Sequence, residues 1–263
     1  MDAAFSTFLD RALVVGREAA AAAAQVIRHH YERGVAVETK ADQTPVTIAD
    51  REAEGVIKDV LRREFPAHAF YGEELGREGD GDFLWLIDPI DGTKAFVRRY
   101  PMFSTQIALM HRGALVLGVS SAPLYGETAW ARAGGGAFLD GVPIKVSSAR
   151  EFGPQTAISI GNVKTLTRDA RWNALGELIR RSGRIRGYGD FLHYHLLARG
   201  CLDLVIESDV NILDIAALAV IVREAGGVCT DLTGGELTLD TTSVLAGGPE
   251  LHAQALALFA HAT

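Results

Sequence analysis

The chain has 263 residues, 48% hydrophobic and 22% charged, with a formal net charge of −7, which is room for one large domain or two ordinary ones of soluble globular composition. The acidic balance argues against nucleic acid or an anionic membrane as the main partner, because both need a basic footprint. Two cysteines, Cys201 and Cys229, without a CxxC make no disulfide framework; charges interrupt the N-terminal apolar residues and no 18-residue apolar run occurs, so the expected location is the cytoplasm, with no signal peptide and no membrane span.

In chain order, residues 2–33 carry Phe5, Phe8, Leu9, Ala12 and Leu13 at helical spacing, then the alanine run 19–24, and Gly34 suits the position just past a helix end. The stretch KADQTPVT (40–47) reads as a loop. Thr47 and Asp50 resemble a helix N-cap pair. They open a second helix, with Ala53, Val56, Ile57, Val60 and Leu61 on one face, ending near Phe65–Pro66. The pattern then turns to β. FLWLI (83–87) is a short apolar run, STQIALM and ALVLGVS flank HRG as a hairpin, and ETAWARA and AFLDGVPIKVS follow between Gly-rich turns. From about residue 150 the rhythm alternates: TAISIG before a helix at 169–182, RIRGYG before one at 190–199, and LDLVIES before one at 213–225 that stops at Gly226–Gly227. This predicts an α/β (α+β) protein in two halves, 1–148 and 149–263, without a long linker.

Chemistry concentrates at WLIDPIDGTKAF (85–96). Pro89 cannot donate to a sheet ladder, so the strand is expected to end there. Gly92 permits a tight turn or a close backbone approach, and Thr93 opens a helix whose amides suit phosphate. Carboxylates for a cation, Asp88 and Asp91, thus stand beside amides for an anion; a DPxDG stretch is equally a good turn. Glu73 and Glu74 lie upstream in YGEEL, and Asp214 opens a very apolar helix, where it could merely favour the helix dipole. If these acids converge, like charges ~4 Å apart cost about 4 kcal/mol per pair at an effective dielectric near ~20. Divalent cations would relieve that repulsion.

WLIDPIDGT, the later LDIAALAVIVREAGG and the upstream GEE together resemble the inositol monophosphatase family of metal-dependent phosphatases, over nearly the whole chain. The resemblance implies a layered αβαβα sandwich, a homodimer and two or three Mg²⁺ per site. By position it implies one Mg²⁺ on Glu73, Asp88 and the Ile90 carbonyl, and a second on Asp88, Asp91 and Asp214. Such hard oxygens suit Mg²⁺, and paired metals suit in-line displacement at phosphorus. Glu73 and Thr93 would orient or deprotonate a water, Gly92 and Thr93 amides would hold the phosphate, and Asp50 would support Thr93. Lys40 would lie near this loop, with no role assigned.

For the substrate, DGTKAFVRRYPMF, RGYGDFLHYHLLARG and VIESDVNILD look most like the histidinol-phosphatase branch. Histidinol phosphate carries an ammonium and an imidazole; Asp190 could pair with the ammonium and Glu207 could take an amine or a hydroxyl, while Asp190 could equally be a helix N-cap. An inositol, broad sugar-phosphate or nucleotide 3′-phosphatase is the alternative, and a non-catalytic regulatory or binding member of the family is the alternative of a different class. Leu213 stands where the family usually has Trp, and Arg99 where the histidinol-phosphatase branch usually has Gly. His193 and His195, two residues apart on a helix, point to different faces and make no zinc motif. RAGGGAFLDG lacks the ending of a phosphate loop, and GYGDF is no dinucleotide fingerprint.

Overall fold

The computed structural model describes residues 2–34, 37–39 and 45–260. Lys40 and the adjoining part of the 40–47 loop lie outside them. In chain order, α1 (Ala3–Arg33) leads to an antiparallel ribbon of β1 (Val37–Thr39) and β2 (Pro45–Thr47), then α2 (Ile48–Glu64), β3 (Ala69–Gly72), β4 (Gly76–Glu78), β5 (Phe83–Asp91) and the short α3 (Thr93–Val97). The meander β6 (Ser104–His111), β7 (Ala114–Ala122), β8 (Glu127–Arg132), β9 (Gly136–Leu139) and β10 (Val142–Ile144) follows. Then come β11 (Ala157–Ile160), α4 (Arg171–Arg181), β12 (Arg184–Arg186), α5 (Asp190–Ala198), β13 (Leu204–Ser208), α6 (Ile212–Glu224), β14 (Val228–Thr230), β15 (Ser243–Gly247) and α7 (Pro249–Ala260).

Two sheets organise these elements. The larger has eight strands in the order β10-β9-β8-β7-β6-β5-β3-β4; the smaller has five, β12-β11-β13-β15-β14. Apolar side chains of α1 and α2 cover one face of the large sheet, around Trp85, Ile107 and Leu117. The other face, with Leu84, Leu86, Ala108 and Met110, packs on α5 and α6, which also meet Val205, Val244 and Ala246 of the small sheet. The outer face of the small sheet packs on α4 and α7 through Leu175, Leu178, Leu251 and Phe259. The layers therefore run α-β-α-β-α, as the resemblance implied.

Local rules explain the layers. The buried stripe of α1 is Leu9, Ala12, Val15, Gly16, Ala19, Ala20, Ala23, Ala24 and Ile27, a helical repeat whose small residues let the helix lie close on the sheet. The apolar α6 is buried on nearly every face, as a helix held between two sheets must be. A Cβ at Gly118 of β7 would sit 2.2 Å from Ala217 O of α6, so this glycine sets how closely the central helix approaches.

Three features differ from the sequence expectation. β5 does not end at Pro89 but runs to Asp91 across a register shift. β14, β15 and α7 lie beyond the elements read from the sequence, in a region rich in short polar and glycine segments. β15 enters antiparallel between β13 and β14, while β11 and β13 are parallel, so the small sheet is mixed. No described helix is long and apolar enough to cross a membrane.

Candidate active site

The register shift in β5 creates the acidic pair. Asp88 stands opposite Gln106 and Asp91 opposite Ser104, so one extra residue is accommodated in between. In a regular strand, residues three apart point to opposite faces. A bulge re-aims side chains, and here it allows both carboxylates to turn toward one point. Pro89 fits inside it because it has no amide to lose. Its carbonyl accepts from Thr105 Oγ1 at 2.9 Å, and the Ile90 amide donates to Asp88 Oδ1 at 3.0 Å.

Gly92 then turns the chain with φ +92, and a Cβ there would lie 2.6 Å from Met102 O. Ala95 and Phe96 donate to the Gly92 carbonyl at 2.8 and 3.1 Å, which leaves the preceding amides of α3 to face an outside acceptor. Thr93 Oγ1 lies 3.0 Å from Ile90 O and 3.3 Å from Asp50 Oδ1. Asp50 in turn accepts from the Thr47 amide and hydroxyl at 2.8 and 2.7 Å, within the capping box of α2. The pair expected to start that helix therefore also supports Thr93. Burial raises the Asp50 pKa, against the lowering effect of its Thr47 bonds.

Glu73 follows β3, and its amide donates to Ile87 O at 3.1 Å. The turn is held from below by a residue that the sequence reading missed. Fully buried Glu54 of α2 accepts from the Glu74 amide at 2.7 Å and the Leu75 amide at 3.1 Å. It also pairs with buried Lys58 at 2.9 Å, which reaches Glu78 at 2.8 Å. A Cβ on Gly72 would strike Glu54 Oε1 at 1.8 Å. The available signal was a Glu and a Lys four apart on the apolar side of a helix, a pattern usually found on solvated faces.

From the small sheet's side come Asp214, Asp190 and Glu207. Asp214 occupies the first turn of α6, and its Oδ2 accepts from the Asn211 amide at 2.9 Å. Asp190 is not a helix cap: Gly189 holds the cap position of α5, and no side-chain cap bond forms. Asp190 instead adopts φ +45, a conformation uncommon outside glycine and typical of functional sites. Glu207 Oε2 accepts from Tyr194 OH at 2.8 Å and meets His193 Nε2 at 3.2 Å, while the Asn162 amide donates to Oε1 at 3.3 Å. His195 goes elsewhere, with Nε2 2.9 Å from Ser120 Oγ, so the two histidines do not share a site.

These residues meet in one cleft of about 280 Å³ lined by Glu73, Asp88, Ile90, Asp91, Gly92, Thr93, Asp190 and Asp214. Glu207 lines an adjoining recess of about 60 Å³ with Asp91, Asp190 and Asp214. Asp50 sits beneath, bonded to Thr93. Ligand oxygens of Asp88, Asp91 and Asp214 lie within 4.8 Å of one another. Burial, then the charges of Glu73, Asp91 and Asp214, pushes the Asp88 pKa well up. Burial, then Asp190, Asp214 and Glu207, does the same to Asp91. Asp214 and Asp190 are raised to about 6, chiefly by burial. Such a group releases its protons to solvent readily only when a cation takes their place, and its hard carboxylate oxygens fit Mg²⁺. Lys94 is the one cation lining the cleft among the described residues.

Residues 9–263 match the inositol monophosphatase family. The chain belongs to that family. It is a phosphatase of a family that generally uses Mg²⁺, and the carboxylate group suits such an ion. A histidinol-phosphatase from Mycobacterium tuberculosis is 40% identical over 206 residues, 75% of this chain and 78% of the relative. The Nus factor SuhB of Escherichia coli is 35% identical over 246 residues, 91% of this chain and 92% of the relative. A solved inositol monophosphatase from Anabaena superposes with a TM-score of 0.82 at 28% identity, covering 98% of this chain and 97% of that one.

Proposed function

We propose that this phosphatase hydrolyses histidinol phosphate to histidinol and phosphate. The observation that carries the hydrolytic reading is the convergence of Asp88, Asp91 and Asp214 within 4.8 Å beside the start of α3. The substrate is favoured by 40% identity to a histidinol-phosphatase and by the chemistry of Asp190. Its carboxylate makes no hydrogen bond or ion pair with a described side chain, and it lines the cleft. An ammonium or imidazolium on the substrate would supply the missing partner.

Glu73, Asp88 and the Ile90 carbonyl would hold one Mg²⁺, and Asp88, Asp91 and Asp214 a second. When bound, the ions supply charge neutralisation for the phosphate and acidify a water. The remaining work belongs to the chain. Thr93, directing its proton to Asp50 or Ile90 O, keeps a lone pair for the attacking water. Glu73 accepts that water's proton. The Gly92 and Thr93 amides hold phosphate oxygens as charge shifts onto them. Glu207, fixed between Tyr194 and His193, receives an amine or hydroxyl of the leaving alcohol. The same reading takes the enzyme to be a cytoplasmic homodimer, and sedimentation would give the subunit number.

The test compares kcat/KM on histidinol phosphate, inositol 1-phosphate and 3′-phosphoadenosine 5′-phosphate, with Mg²⁺ and with a chelator. Histidinol phosphate should lead, and chelation should abolish release. Asp88→Asn should remove nearly all turnover and leave the fold intact. Asp190→Asn should lower kcat/KM on histidinol phosphate about tenfold or more, and less on inositol 1-phosphate. Histidinol phosphate coming last would reject the substrate; no release from any ester would reject the enzyme reading.

A further inference from the structure

β6 pairs with the bulged end of β5 and places Gln106 opposite Asp88 and Ser104 opposite Asp91. Both side chains are fully buried. Gln106 Nε2 donates to Ser104 Oγ at 2.8 Å, and Ser104 Oγ donates to Asp91 Oδ2 at 3.4 Å. Chemistry fixes the direction of this relay. In the ionised form that binds a cation the Asp91 carboxylate only accepts, serine has a single proton to give, and so Gln106 presents its NH₂ group to Ser104.

The other atom of the same amide carries a penalty. Gln106 Oε1 is buried and has no hydrogen-bond partner among the described residues. A buried acceptor without a donor destabilises a fold, and an apolar side chain of similar shape would remove the problem. The residues that follow Gln106 on the same face of β6, Ala108 and Met110, are of that apolar kind and pack in the layer against α6. Packing therefore gives no reason for an amide at position 106. Its hydrogen bond to Ser104, and through Ser104 to Asp91, does.

We propose that Gln106 and Ser104 are positioning residues that hold the Asp91 carboxylate in the orientation in which it binds the cation. The inference rests on the reading of Asp91 as a cation ligand. Asp91 follows a bulge, where no regular ladder fixes its side chain, so an oriented donor narrows the rotamers it samples. Loss of such outer partners commonly weakens metal binding about 10–100-fold.

Mg²⁺ binding to the full chain is measured by titration calorimetry in wild type, Gln106→Leu, Ser104→Ala and Asp91→Asn, with melting in chelator recorded for each. Gln106→Leu and Ser104→Ala should weaken Mg²⁺ binding about tenfold or more. Gln106→Leu should melt no lower than wild type, since the unpaired acceptor is gone. If Gln106→Leu does not fold, Ser104→Ala carries the test. Wild-type Mg²⁺ affinity in both variants would overturn the proposal, whatever their melting temperatures. A wild type that binds no Mg²⁺, or binds it as well after Asp91→Asn, would overturn the underlying ligand reading instead.

Discussion

Gly92 is constrained twice, by φ +92 and by Met102 O, which a Cβ would approach to 2.6 Å. The motif could nominate it for phosphate contact, because DGT stands where a strand gives way to a helix. The second constraint comes from a loop ten residues away and is invisible to local reading. Gly92→Ala should cost about 1–3 kcal/mol, from strain and overpacking together. It should also cut phosphate release more than tenfold, since Met102 can yield only by moving the turn that aims the Thr93 amide. A melting curve and an initial rate check both. Arg99 illustrates a different limit. It stands where the resembled branch has glycine, and its φ of +65 explains that preference. The side chain offsets the strain: its guanidinium lies 4.3 Å over the Tyr31 ring and bonds the Tyr31 carbonyl. Arg99→Gly should therefore leave stability within about 1 kcal/mol, the two effects being of similar size. Arg99→Ala keeps the strain, loses the contact, and should cost about 1–2 kcal/mol. Equal melting temperatures for the two variants would contradict this account.

At the scale of elements, periodicity found the long helices. α1, α2 and α6 lie within a residue or two of their expected ends because each has a clear face, or none, and a capping residue. The meander was legible for the same reason. What escaped was anything decided by pairing partners. The proline of β5 was read as a stop, whereas the register shift against β6 lets the strand continue and gives the site both of its adjacent carboxylates. The turn bearing Glu73 escaped too, because its support comes from α2. Glu54 can accept from Glu74, Leu75 and Lys58 at once only with two anionic oxygens. Glu54→Gln replaces one acceptor with a donor facing donors. Breaking such a buried pair costs about 3–5 kcal/mol. The variant should melt correspondingly lower, and at a temperature where it is still folded its kcat should fall at least tenfold. Unchanged kcat at lowered stability would show that the pair supports the fold without positioning Glu73.

Over the whole molecule, the site lies where two sheets meet across one helical layer. Glu73, Asp88 and Asp91 come from the large sheet, and Asp190, Glu207 and Asp214 from the small sheet and its helices. Sequence spacing could name each of them but could not bring them together; only the resemblance implied convergence. Folding therefore assembles like charges, with a consequence for stability that depends on pH and metal. Asp190 and Asp214 are raised to about 6 from 3.8, and burial and neighbouring carboxylates push Asp88 and Asp91 well above 3.8. Well below pH 3.8 all four are protonated in both the folded and unfolded chain, and they contribute no difference. As pH rises from there through about 6, the unfolded chain releases its protons first, so the metal-free fold loses stability. Half-buried His68 and buried His195 and His252, whose pKa values are lowered chiefly by burial, act in the opposite sense near their own titration. Comparing melting temperatures in Mg²⁺ and in chelator at each pH cancels that contribution. On the proposed ligand set, Mg²⁺ held by ionised Asp88, Asp91 and Asp214 would stabilise the fold by mass action. The gain should be small at pH 5, where protons compete for the same oxygens, and should grow as pH rises through 6 and above. A gain that is flat with pH, or largest at pH 5, would mean that Asp88, Asp91 and Asp214 are not the groups the ion displaces protons from.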